Sequence, residues 1–237
     1  MNFDFGYGLV NAHQHPNGGG WVADTAIIKE TAFIGPDAKV FDTAMVFDNA
    51  RITDKAQVFG NAWVFGDAKV YGNAKIYGNA KVCGNARVYG YAEVYSNARV
   101  WNNAEVCGNA QVYENAWVFG DAQVYGNASV YNNARVYGSA QVYENAEVYG
   151  NAKVYENAIV NGSAILQLGK FFGDIKIDKT PTVIVNESYQ VVKTLDWVIC
   201  GNLSLPIPEW IKLRDSEIQE QAGPLYRDLI FYLEDFI

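Results

Sequence analysis

The chain has 237 residues, half of them apolar or aromatic, and a formal net charge of -8. Such a composition excludes a disordered chain, and the acidic balance disfavours general attraction to nucleic acid or anionic membrane, which rests on clustered Lys and Arg displacing counterions. Three cysteines without paired spacing, Cys83, Cys107 and Cys200, exclude a disulfide framework and point to a reducing compartment.

No stretch reaches the roughly 18 consecutive apolar residues of a membrane span, and the start MNFDFGYG lacks the basic-then-apolar layout of a signal peptide. The expectation is a soluble cytoplasmic protein with no membrane partner. Residues 1–10 alternate Phe3, Phe5 and Tyr7 with small or acidic residues, which predicts a short strand laid across whatever follows, as a cap. NAHQHPNGGGW then reads as a loop, because Pro16, Asn17 and three glycines break regular structure. His13 and His15 share a side if that loop begins extended. A zinc site needs a third or fourth ligand, and no acid or Cys nearby in the sequence supplies it. A surface or packing role is therefore the reading, with no metal or cofactor expected; residues 1–19 form the N-terminal cap and loop.

From residue 20 to 169 the chain divides into 25 hexads without an insertion. The first place is almost always Ala, the third Val or Ile, the fourth an aromatic, and the last two Gly-Asn or relatives, as in AKVYGN and AKIYGN. Alternation with period two is a strand signal. Ala and Val must point inward, since the opposite choice buries a Lys, Arg, Glu or Gln from most hexads. The aromatic then faces outward, and Gly-Asn makes the corner because both tolerate positive φ. Strands of about four residues joined by two-residue corners cannot reverse as hairpins throughout, so the chain winds as a solenoid of parallel strands. Three sides close a coil of about 18 residues, giving about eight coils at roughly 4.8 Å each. The predicted class is mostly β, a triangular parallel β-helix with a small α+β cap at the C-terminus.

These A-x-V-Y-G-N hexads, with GGGWVADTA and FIGPDAKV at their start, resemble the hexapeptide-repeat left-handed β-helix proteins, including phage- and prophage-borne members. The resemblance covers residues 17–169 and implies a left-handed winding and assembly into small homo-oligomers, dimers or trimers. This chain departs from the usual pattern in carrying an aromatic after the aliphatic place.

Positions 18 apart stack, so the outer surface reads as ladders. One runs Phe41, Phe59, Tyr77, Tyr95, Tyr113, Tyr131, Tyr149; a second runs Trp63, Lys81, Arg99, Trp117, Arg135, Lys153, beside Phe65, Cys83, Trp101, Phe119, Tyr137 and Tyr155; a third contains Tyr71, Tyr89, Cys107, Tyr125 and Tyr143. Exposed Trp and Arg anchor interfaces and stack on rings. Trp63, Arg99, Trp101, Trp117 and Arg135 are therefore candidate partner-binding residues, for a protein, a glycan or a single-stranded nucleic acid. The alternative is that stacked aromatics simply cover one another, as cross-strand neighbours do in any sheet. A nucleic-acid mimic needs a dense acidic stripe, whereas the repeat holds 11 bases against 14 scattered acids.

The family the hexads resemble includes acyltransferases, which use a histidine base and a loop protruding from the coils. No histidine lies between Trp21 and the C-terminus, the unbroken hexads leave no protruding loop, and the carbon-dioxide-hydrating relatives need three histidines where this chain has two. Cys83 and Cys107 fall on different faces, each replacing an aromatic. No catalytic residue is assigned.

Residues 170–237 form the predicted C-terminal module. KFFGDIKIDKT, TVIVNE, YQVVKT and DWVIC read as strands of a small antiparallel sheet, and EWIKLRDSEIQEQA and PLYRDLIFYLEDFI as helices behind prolines. The module would cover the open edge of the solenoid. VICGNLSLPIPEW resembles the terminal module of phage-borne hexapeptide proteins, and Trp197 and Trp210 there complete the candidate partner residues. The expected function is a non-catalytic scaffold or binding protein of a phage or prophage, engaging a macromolecular partner and antagonising a host defence protein. The alternatives are an acyltransferase-like enzyme using His13 or His15, and nucleic-acid binding or mimicry, with nucleic acid the least favoured partner.

Overall fold

The computed structural model describes residues 1–185, 190–193, 197–200 and 203–206. The chain divides into two compact units, residues 1–179 and 180–237. Among the described residues there is no helix, and hence none long and apolar enough to cross a membrane. The two predicted helices, and Trp210, lie outside the described residues.

The first unit is a β-solenoid of three parallel stacks. Each hexad contributes a two-residue strand at its second and third places, and consecutive hexads go to sheets I, II and III in turn. Sheet I contains Lys75–Ile76 and Glu93–Val94, sheet II Lys81–Val82 and Arg99–Val100, sheet III Arg87–Val88 and Glu105–Val106, each paired in register with the residue 18 further on. Sheets II and III hold nine strands each, so the prism has nine turns rather than about eight. The additional strands are Lys170–Phe171 and Lys176–Ile177. They pair with Lys153–Val154 and Ile159–Val160 at a spacing of 17, because the corner before Gly169 is one residue shorter. Parallel stacking therefore continues beyond residue 169, and KFFGDIKI joins the solenoid rather than an antiparallel sheet.

The interior is formed as the alternation demands. Every first-place Ala from Ala32 to Ala164 and every third-place Val or Ile from Ile34 to Val160 is fully buried. Ala and Val are small enough for three strands to meet across the narrow prism. In the last turns the filling changes to Leu166, Phe171, Ile175 and Ile177, all buried, so bulkier side chains occupy the axis there.

The corners assign separate tasks to their two residues. From Asp42 to Gly162 the fifth place is left-handed at every corner, with φ of 63–74° at the glycines and 53–61° at nine non-glycine residues. The sixth place is not left-handed, which corrects the expectation that Gly and Asn share the turn. Its Asn instead runs side-chain ladders: Asn61 donates to Asn79, Asn79 to Asn97 and Asn97 to Asn115, at 3.2, 3.2 and 3.3 Å.

The N-terminal end is closed by a hairpin. β1 (Asn2–Asp4) pairs antiparallel with β2 (Leu9–Gln14), which pairs antiparallel with β3 (Trp21–Ala23), the first strand of sheet I. The predicted single strand is thus a hairpin, and residues 11–14 are strand rather than loop. Asp4 Oδ1 accepts the amides of Gly6 and Gly8 in the tip, which holds its carboxyl below the usual range. Phe3 stacks on Trp21 and Phe5 on Phe41, prolonging the aromatic column of sheet I. The His15–Gly20 loop covers the edge at Phe33–Ile34: Ile34 N–H donates to Asn17 O, Gly20 N–H to Ile34 O, and Asn17 Nδ2 to Ala32 O.

In the second unit, Thr182–Val185, Gln190–Lys193, Trp197–Cys200 and Leu203–Pro206 form a four-stranded antiparallel sheet in sequence order.

Candidate interaction face

On each face the second-place side chains point outward as a row, with the fourth-place aromatics as a column beside it. Rings in the sheet I column, Phe41 to Tyr149, repeat at 4.8–4.9 Å with planes within 4°. The aromatics face outward as expected, yet stacking leaves most of them only half-exposed. Tyr77 and Tyr131 also donate to Glu93 and Glu147, both at 3.0 Å. Burial, then these hydrogen bonds, push both phenol pKa values well up.

The three rows differ in charge. Sheet I carries Lys39 and Lys75 with Glu93 and Glu147, and Lys75 meets Glu93 at 3.3 Å. Sheet III carries Arg51, Lys69, Arg87 and Lys176 with Glu105, and Arg87 meets Glu105 at 3.1 Å. Sheet II carries Lys81, Arg99, Arg135, Lys153 and Lys170 with no acid in the row. Among the described residues none of these five forms an ion pair. Three of them instead meet indoles: Lys81 lies 4.2 Å from the Trp63 ring centre, and Arg99 and Arg135 lie 5.5 and 4.4 Å from that of Trp117. Guanidinium groups held this way keep their N–H edges free for an outside acceptor.

Of the residues singled out from sequence, Trp63, Arg99, Trp117 and Arg135 occupy this one row, and Trp101 stands beside it in the aromatic column, edge-on to Trp117 at 5.5 Å. Trp197 belongs to Trp197–Cys200 of the other unit. Sequence reasoning missed Lys170, because the shortened corner takes it out of the 18-residue frame. It also missed the sign of the whole row, which comparing outward charges face by face reveals.

His13 and His15 do not converge on a metal site. His15 is buried with Nδ1 at 3.2 Å from Asn17 O, whereas His13 is exposed and its Nδ1 lies 2.7 Å from Asp24 Oδ1. Asp24 is the acid that proximity in sequence did not supply; it arrives because β2 and β3 pair. It also lines a cleft of about 430 Å³ with Phe5, Tyr7, Phe41 and Asp42. Among the described residues no group of three or more His, Cys, Asp or Glu is placed to hold a metal ion.

The model of the YdcK β-solenoid repeat matches residues 122–138 and 128–144, two windows offset by one hexad and both starting at a first-place Ala. No curated protein and no solved structure matches the chain.

Proposed function

We propose that the protein is a non-catalytic β-solenoid scaffold whose sheet II face docks a protein partner with an acidic surface. The observation that carries this reading is the unpaired row of Lys81, Arg99, Arg135, Lys153 and Lys170 on a chain of net charge -8. Like charges on adjacent strands oppose one another, by roughly the 0.2–1 kcal/mol that opposite charges gain. Sheet I sets Lys75 against Glu93 and sheet III ends its Arg51–Lys69–Arg87 run on Glu105, whereas sheet II has no acid in its row. Contacts with Trp63 and Trp117 account for Lys81, Arg99 and Arg135 within the solenoid but not for Lys153 and Lys170, whereas an acidic partner accounts for all five. A phage or prophage setting, with antagonism of a host protein, belongs to the proposal and rests on the resemblance of the hexads and of VICGNLSLPIPEW. Homo-oligomer formation is proposed on the same footing and is read from the mass of the intact assembly.

The test is capture from lysate of the native host by tagged protein, beside an Arg99→Glu/Arg135→Glu double variant. A protein retained by the wild type and lost from the double variant is expected. Capture indifferent to the charge reversal overturns the face.

A second reading, the acyltransferase-like enzyme, is favoured by the His13–Asp24 pair beside the 430 Å³ cleft, since a carboxylate on Nδ1 orients an imidazole as a base. It requires acyl transfer that His13→Gln abolishes. Nucleic-acid binding is the weaker reading, because guanidinium groups already lie over Trp117, where a base would stack.

A further inference from the structure

The aromatic column of sheet II is interrupted once between Phe65 and Phe172. From Trp101 the rings of Phe119, Tyr137, Tyr155 and Phe172 follow one another at 4.4–5.1 Å. On the preceding turn Cys83 takes the place of the ring, and Phe65 stands one turn further. At the spacing of stacked strands, Phe65 and Trp101 are two rungs apart, roughly 9–10 Å, with only a thiol between them. That is the room one planar ring occupies elsewhere in these columns. Phe119 covers one face of the Trp101 indole, leaving the other toward the Cys83 turn. Lys81 and Arg99, paired on the adjacent strands that lead into Cys83 and Trp101, flank the gap from the neighbouring row.

We propose that this gap is an anchor slot for an aromatic side chain of the protein partner, inserted between Phe65 and Trp101 over Cys83, with carboxylates beside it in the partner's chain meeting Lys81 and Arg99. The proposal rests on the docking face proposed above and names what the face grips. A single ring in an open slot gives weak binding by itself, so the slot serves as the anchor of a larger contact. The inserted ring completes a column whose geometry the solenoid already sets, so the slot requires little rearrangement.

The gap at Cys107 in the sheet III column is an internal control. It lies between the Tyr71–Tyr89 and Tyr125–Tyr143 stacks, but Glu105 flanks it from the neighbouring row. An acid at the rim disfavours an anionic segment, so the two gaps differ in the charge that selects the ligand.

The probe is acetyl-Glu-Trp-Glu-amide, titrated into the full chain and followed by amide NMR shifts. The expected result is a response centred on Phe65, Cys83 and Trp101, with affinity at least tenfold weaker in Cys83→Phe and in Arg99→Glu, and unchanged in Cys107→Tyr. Cys83→Phe supplies the ring that the other hexads carry, so an unchanged or raised melting temperature accompanies its loss of binding. Equal affinity in Cys83→Phe, or no response around Cys83 at millimolar peptide, overturns the slot. Failure of the slot leaves the charge dependence of partner capture intact, whereas failure of the docking face removes that dependence whatever the peptide does.

Discussion

At a single corner, backbone sterics decide what each residue contributes. Gly90 has φ of 73°, and a Cβ there would lie 3.0 Å from both N and O of Gly108 on the next turn. Gly90→Ala therefore combines left-handed strain with a backbone contact and is expected to cost about 1–2 kcal/mol in chemical unfolding. Ser96 occupies the same place with φ of 57°, and Ser96→Gly is expected to gain about 0.5–1 kcal/mol. Asp42, Asp48 and Asp54 offset the same strain, each accepting the Gly60, Gly66 or Gly72 amide one turn away at 2.9–3.0 Å. The phenols give a pH signature. Several folded pKa values between Tyr71 and Tyr155 lie above the ordinary value of 10, most strongly at Tyr77, Tyr89 and Tyr131. The stabilisation is therefore complete below about pH 10, where unfolded tyrosine remains protonated, and is lost as pH rises through the folded values. Melting temperature is expected to fall above pH 10, and less steeply in a Tyr77→Phe/Tyr131→Phe variant.

Elements in this protein are rows and columns running across strands, since two-residue strands have little integrity alone. The asparagine ladder is one such element. Asn97 accepts from Asn79 and donates to Asn115, so Asn97→Ala interrupts both links and is expected to cost about 1 kcal/mol, measured by thermal or chemical unfolding. The strands, the inward Ala and Val and the composition of the ladders were legible in the sequence, because period two and period 18 leave no competing arrangement. The task of Asn was misread, since left-handed tolerance and amide pairing favour the same residue type and only the φ values separate them. Asp24 escaped notice because it reaches His13 through strand pairing across 11 residues of chain. The strands beyond Gly169 were hidden by one missing residue at a corner, which shifts every later position out of the hexad frame. Cys83 was recognised as a replaced aromatic, but its meaning depends on the unpaired cations beside it, which become apparent only when the three faces are compared.

For the whole first unit, the end turns differ from the middle because they must terminate an otherwise repeatable stack. The β1–β2 hairpin covers the edge of β3, so removing residues 1–14 exposes an unpaired strand and the rings of Trp21 and Phe41. Concentration-dependent growth by light scattering beyond the size of the full-chain assembly is the expected outcome, and a size unchanged from that of the full chain overturns the capping role. Between the ends, the inward residues of one turn are interchangeable with those of the next, and this makes length a quantised property. Deleting residues 86–103 removes three sides together and joins Asn85 to Ala104, which leaves every later residue on its original face and shortens the prism by one rise of roughly 4.8 Å. Deleting residues 104–109 also keeps the core pattern but rotates all that follows by one face, setting Gln123 rather than Trp117 against Arg99. The solenoid thus separates two quantities most folds entangle: whole turns change its reach, and single hexads change which chemistry its faces display.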